Sequence, residues 1–106
     1  MRQEHLPLTE GVYYILLSLY EPRHGYGIMQ LTEELSKGRV QLGAGTIYGA
    51  IKTLVGRKWI VALDDDGRKK EYVITDLGKT MVEYEMKRLN ELYENGLLMT
   101  KGEKLK

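Results

Sequence analysis

Cysteine is absent from the 106 residues, and with it go every disulfide framework, every thiolate-ligated zinc or iron–sulfur centre and every cysteine nucleophile. Long hydrophobic runs are missing as well. The longest nearly apolar stretch, Val12–Tyr20, holds nine residues, about half of the ~18–20 needed to cross a bilayer, and no basic leader with a small-residue cleavage site precedes it. There is no internal repeat and no low-complexity linker. The two histidines, His5 and His24, are far apart and have no adjacent nucleophile or ligand pattern, so they read as surface or helix-start residues. No catalytic residue, cofactor or metal is therefore expected, and neither is a membrane partner. A soluble, cytoplasmic protein is the expectation.

Hydrophobic residues make up 42% and charged residues 29% of the chain, near the globular average, which speaks against a disordered or fibrous chain. A mass of 12.2 kDa suits one structural domain with a small core. The net charge of +1 hides an asymmetry. Residues 1–36 carry two basic and five acidic side chains, residues 37–70 eight and three, and residues 71–106 six and seven. The positive field thus sits in the middle third, either as a solvated face or as a local anion-binding surface.

Thr9 is placed to cap a first helix, in which Leu8, Val12, Ile15, Leu16 and Leu19 recur at helical spacing, while Tyr13, Leu17 and Tyr20 widen the apolar surface to a second face. The Glu21-Pro22 step should stop it. A second helix from about His24 turns Ile28, Leu31, Thr32 and Leu35 inward and ends near Gly38. A third, from Gly45 or Thr46, buries Ile47, Ala50, Ile51 and Leu54 and turns Thr46, Tyr48, Gly49, Lys52 and Thr53 outward. Trp59–Leu63 and Glu71–Ile74 are β-forming runs around an Asp66-Gly67 turn signal, with Arg68, Lys69 and Lys70 just past the tip. Thr75 then caps a last helix on which Val82, Met86, Leu89 and Tyr93 form a seam. Running to about Met99, that helix is longer than a core of this size can cover.

The chain is accordingly read as mainly α with a small β-hairpin: a winged helix-turn-helix over residues 1–75, a long C-terminal dimerisation helix over 76–100, and a frayed tail over 101–106. In this architecture the third helix enters the major groove of double-stranded DNA and the hairpin reaches a neighbouring backbone or minor groove. Thr46, Tyr48, Lys52 and Thr53 are the candidate contacts to bases and phosphates, with Gly49 letting the backbone come close. Arg68, Lys69 and Lys70 are candidate phosphate anchors, and also serve to guard the sheet edge against pairing.

Four segments resemble the PadR family of bacterial transcriptional regulators: LTEGVYYILLSL at 8–19, HGYGI at 24–28, LGAGTIYGAIKTL at 42–54 and EYVITDLG at 71–78. The resemblance implies a homodimeric winged-helix repressor of the short subclass, binding a two-fold symmetric operator. It also implies that the first and last helices form the dimer interface, here Tyr13, Leu17, Tyr20, Val82, Met86, Leu89 and Tyr93, where some members of the family bind a small aromatic effector. Three positions depart from the pattern. Ala44 replaces a frequent proline. Lys58 replaces a glycine that often closes the third helix, which leaves a left-handed cap strained or absent. Glu71 replaces one of two aromatics. Some drug-binding members stack ligands on a tryptophan of the last helix, whereas the single tryptophan here, Trp59, starts the wing and is expected in the core.

Two other function classes compete with this reading. A winged helix can serve as a protein–protein interaction module without DNA, since fold alone does not settle function. GAGTIYG holds glycines at 43, 45 and 49, with Asp64–Asp66 beyond them, a spacing reminiscent of a dinucleotide site. Tyr48 stands where that motif needs its third glycine, the preceding KGRVQL is a weak strand, and the chain has no room for a doubly wound sheet.

Overall fold

The computed structural model describes residues 7–63 and 70–102. The Asp66-Gly67 turn, Arg68, Lys69 and the last four residues of the tail lie outside them. The elements are α1 (Glu10–Ser18), α2 (Gly25–Leu35), α3 (Ala44–Gly56), β1 (Ile60–Leu63), β2 (Glu71–Ile74) and α4 (Asp76–Thr100).

Local chemistry sets most of the boundaries. The Thr9 side chain accepts from the Val12 N–H at 3.1 Å and opens α1, and Thr75 accepts from Gly78 N–H at 3.0 Å and opens α4. These are the side-chain caps expected at the two sites. Helix α1 stops at Ser18, before the Glu21-Pro22 step and short of Tyr20. There Leu19 and Tyr20 N–H tighten to the carbonyls three residues back, while the Ser18 carbonyl is taken by Arg23 Nε at 2.7 Å. Helix α2 closes through Lys37, whose φ of 56° is left-handed. Lys37 N–H reaches Glu34 O and Gly38 N–H reaches Glu33 O, the paired bonds of a Schellman cap. Lys58 repeats the arrangement after α3: its φ is 66°, and Lys58 and Trp59 N–H reach Val55 and Leu54 carbonyls. The left-handed cap is thus present, held by a lysine in a region that disfavours a Cβ.

The core is Ile15, Leu16 and Leu19 from α1 and its cap, Ile28 from α2, Ile47, Ile51 and Leu54 from α3, Ile60 and Ile74 from the hairpin, and Val82 from α4. Leu35, expected inward, is exposed, because the covered face of α2 runs through Gly25, Ile28 and Thr32 to Ser36, which is buried one residue beyond it. The two strands are antiparallel, with Ile60 opposite Ile74 and Leu63 opposite Glu71. A single antiparallel bridge joins Arg23 to Tyr72, and Ile74 N–H donates to Leu19 O at 2.8 Å, so the hairpin is stitched to the segment between α1 and α2. Gly78 admits the start of α4 against the hairpin: a Cβ there would overlap the Trp59 carbonyl oxygen and stand 2.6 Å from the Ile74 side chain.

Helix α4 runs about 37 Å at 1.5 Å per residue and leaves the core after its first three turns. The molecule is consequently elongated, with a radius of gyration of 16.3 Å against about 13 Å for a compact chain of this length. No helix among the described residues is long and apolar enough to cross a membrane.

Candidate nucleic-acid interface

Successive residues of α3 advance by about 100° around the axis. Ile47, Ile51 and Leu54 therefore share one arc, which is buried, and half-buried Ala50 borders it. Thr46, Tyr48, Gly49, Lys52 and Thr53 occupy the opposite arc, and all five are exposed. The sequence pattern thus places the five α3 candidates on one surface.

Its centre is built differently from its edges. Gly45, Gly49, Gly56 and Lys52 form the outermost strip, flanked by Tyr48 on one side and Thr46 and Thr53 on the other. A Cβ added at Gly45, Gly49 or Gly56 would meet nothing within 4 Å. Gly49, in the helix interior, costs about 0.5–1 kcal/mol relative to alanine, and no internal packing compensates for it. Gly45 and Gly56 were not among the expected DNA-facing residues, although their spacing from Gly49 carried the signal.

The helix N-terminus adds to this face. Gly43 caps it without a side-chain hydrogen bond, and the first turn contains no acidic residue, so its leading N–H groups have no side-chain acceptor and point toward the region in front of Thr46. Lys70, at the foot of β2, is exposed. Arg68 and Lys69 fall outside the described residues. Two other basic residues of the middle third are engaged within the chain: Arg39 pairs with Glu10, and the Arg57 guanidinium lies 5.2 Å above the Trp59 ring.

Tyr48 has a partner that the sequence did not advertise. Its ring tip lies over Gly25, the first residue of α2, where a Cβ would stand 2.6 Å from Cζ and closer still to Oη.

The residues assigned to a dimer or effector surface are spread out within one chain. Tyr13 and Leu17 are half-buried against the core, and burial together with the nearby Glu85 carboxylate pushes the Tyr13 phenol above its ordinary pKa. Val82 is taken up by the chain's own core at 1% exposure, on the part of α4 that packs within the chain. Tyr20 is exposed beyond the end of α1 with Lys79 Nζ 5.5 Å from its ring. Met86, Leu89 and Tyr93 are exposed along α4.

None of these seven lines the open groove of about 970 Å³ that the structure contains. That groove lies between the start of α1, the second half of α3, Trp59 and the first half of α4, and Val12, Leu54, Trp59, Leu77, Met81 and Tyr84 give it apolar walls. Trp59 is therefore half core residue and half groove wall. At one end Glu85, nearly buried, accepts from Arg88 at 3.0 and 2.6 Å and from Leu8 N–H at 3.4 Å, and the Arg88 hydrogen bonds hold its pKa below the ordinary carboxylate range.

Residues 13–84 match the sequence profile of the transcriptional regulator PadR-like family. The chain belongs to that family. This PadR-like chain is 34% identical over 64 residues to an uncharacterized 37.1 kDa protein in transposon TN4556 of Streptomyces fradiae, a match covering 60% of the chain but 18% of that protein. It spans less than a fifth of that relative's length. A PadR family transcriptional regulator from Eggerthella lenta superposes with a TM-score of 0.71 at 21% identity, over 86% of this chain and 81% of that one. RosR of H. salinarum gives a TM-score of 0.67 at 26% identity, over 77% and 74%. These likenesses agree with a winged helix carrying a long C-terminal helix, and the family is one of transcription regulators rather than enzymes.

Proposed function

We propose that this PadR-like chain is a DNA-binding repressor that acts as a homodimer on a two-fold symmetric operator. The outer strip of α3 carries the proposal: exposed glycines with no packing role, lined by hydroxyls and one lysine, at a helix start free of acidic residues. Such a surface lets a helix backbone sit close to base edges while the leading N–H groups meet a phosphate. Thr46 and Tyr48 read bases. Lys52, Thr53, Arg68, Lys69 and Lys70 hold phosphates, and Gly49 permits the approach. Residues 76–100 form the dimerisation element, through the apolar side chains α4 leaves exposed, together with Tyr13, Leu17 and Tyr20 of the first helical region.

The test compares affinity for a selected operator and for random duplex across a salt series. Thr46→Ala or Tyr48→Ala should weaken the operator by ~1–3 kcal/mol and random DNA much less. Alanine at Arg68, Lys69 and Lys70 should weaken both alike and flatten log affinity against log salt by about one unit per lost phosphate contact. An unchanged slope, or an unchanged specificity ratio, assigns the role to the wrong element. Failure of the wild-type chain to bind any duplex at low salt would leave the protein–protein module.

A small planar aromatic effector suits the groove beside α3, where Trp59 and Tyr84 are among the lining residues and the volume falls in the range of ligand sites. Because Ala50, Thr53 and Leu54 also line it, an occupant touches the helix that reads DNA and shifts the spacing of the two recognition helices. Titration of tryptophan fluorescence with a panel of planar aromatic compounds should show saturable quenching that is lost in Leu77→Asp. No saturable binding anywhere in the panel removes the effector.

A further inference from the structure

The glycine that starts α2 lies directly under the tyrosine at the edge of the α3 surface. Gly25 is buried although its helix begins there, and what covers it is the far end of Tyr48. Cζ stands 2.6 Å and Cε1 3.0 Å from the position a Cβ would take, and the phenol oxygen is nearer than either. Tyr48 itself remains 53% exposed. One edge of its ring is therefore seated on α2 while the rest faces outward.

We propose that Gly25 is a specificity-determining residue that acts by seating the Tyr48 ring in the orientation used for DNA recognition. The inference rests on the DNA-binding function proposed above and extends it to a residue that touches no DNA. Gly25 is not among the residues of positive φ, so alanine can adopt its backbone conformation, and alanine favours a helix more than glycine does. The atoms a new methyl group would strike belong to the tip of a side chain that turns about two bonds. Gly25→Ala should therefore leave the fold in place and displace the ring. A displaced ring loses a preset orientation, and binding must then immobilise it at an entropic cost.

The experiment is a double-mutant cycle on the full chain: wild type, Gly25→Ala, Tyr48→Ala and the double variant. Each is assayed against an operator selected from a random duplex pool and against random duplex at fixed salt, and the ring proton resonances of Tyr48 are followed by NMR. Gly25→Ala is expected to lower the ratio of operator to random affinity about tenfold, the scale of one lost base contact. Random-duplex affinity and melting temperature should hold, and the Tyr48 resonances should shift. In the Tyr48→Ala background the same substitution should change nothing, since no ring remains to be moved. An equal loss in both backgrounds overturns the proposal, because the effect then passes through the α2 backbone. An unchanged ratio with unmoved resonances overturns it as well. A wild-type chain that selects no operator overturns the DNA-binding function and with it the specificity role, and shifted Tyr48 resonances in Gly25→Ala would then identify the DNA function, rather than the seat, as the part that failed.

Discussion

Glycines in α3 and around it carry opposite physical meanings although they look alike in the sequence. Gly78 is indispensable to the fold, since any side chain would run into the Trp59 carbonyl and the Ile74 side chain. Gly25 makes room for a side chain of its own molecule. Gly49 makes room for nothing inside the chain and weakens the helix that contains it. The expected consequence is an inverse relation between stability and function. Gly49→Ala should raise unfolding free energy by ~0.5–1 kcal/mol and the melting temperature by a few degrees, while DNA affinity falls because the new methyl group stands on the outermost strip. Thermal unfolding and salt-controlled binding on one preparation check both halves, and stabilisation without loss of affinity would show that α3 does not approach DNA along that strip.

Elements whose ends are written in side chains are legible in the sequence. Thr9 and Thr75 cap helices where a hydroxyl precedes an apolar period, the two β-runs pair as antiparallel strands, and Ile47, Ile51 and Leu54 are buried at their predicted spacing. Boundaries decided by backbone contacts across the fold are not. Helix α1 ends before Tyr20 because Arg23 captures the Ser18 carbonyl and the hairpin captures Leu19, neither of which a local pattern encodes. Helices α2 and α3 close on Lys37 and Lys58 at positive φ, where composition alone favours glycine. On the α3 surface the exposed arc followed from periodicity, whereas the seat under Tyr48 needed the crossing of α2 and α3. The groove had the same obscurity: its walls come from three helices and from Trp59 between α3 and β1, and periodicity assigns each residue only to a face. Val82 shows the limit most directly. It is on the seam with Met86, Leu89 and Tyr93, yet the chain's own core claims it and leaves the others bare.

For the molecule as a whole, the bare half of α4 is the dominant unmet demand. Met86, Leu89, Leu92, Tyr93 and Met99 are each at least 40% exposed on an element that extends past the core, in a particle 60 Å along its longest axis. A second copy would cover that surface, and its two-fold axis would bring the two α3 helices to one face. The melting temperature of the wild-type chain should therefore rise with protein concentration. Leu89→Asp combined with Tyr93→Asp should lower it and abolish the dependence, as scanning calorimetry over a hundredfold concentration range would record. A concentration-independent transition in the wild type would contradict the dimer. The stitching of the hairpin to the α1–α2 segment would give that assembly a mechanical character. Arg23 and Tyr72 exchange backbone hydrogen bonds, Leu19 accepts from Ile74, and Ser18 accepts from Arg23, so the wing is rooted in the end of α1 as much as in its own sheet. In the proposed dimer, like a rudder whose stock passes through the hull, a wing pushed by a DNA backbone would pull on the helix assigned to the partner subunit. Wing angle and subunit spacing would then move together in that dimer, so that a change imposed on one would be felt in the other.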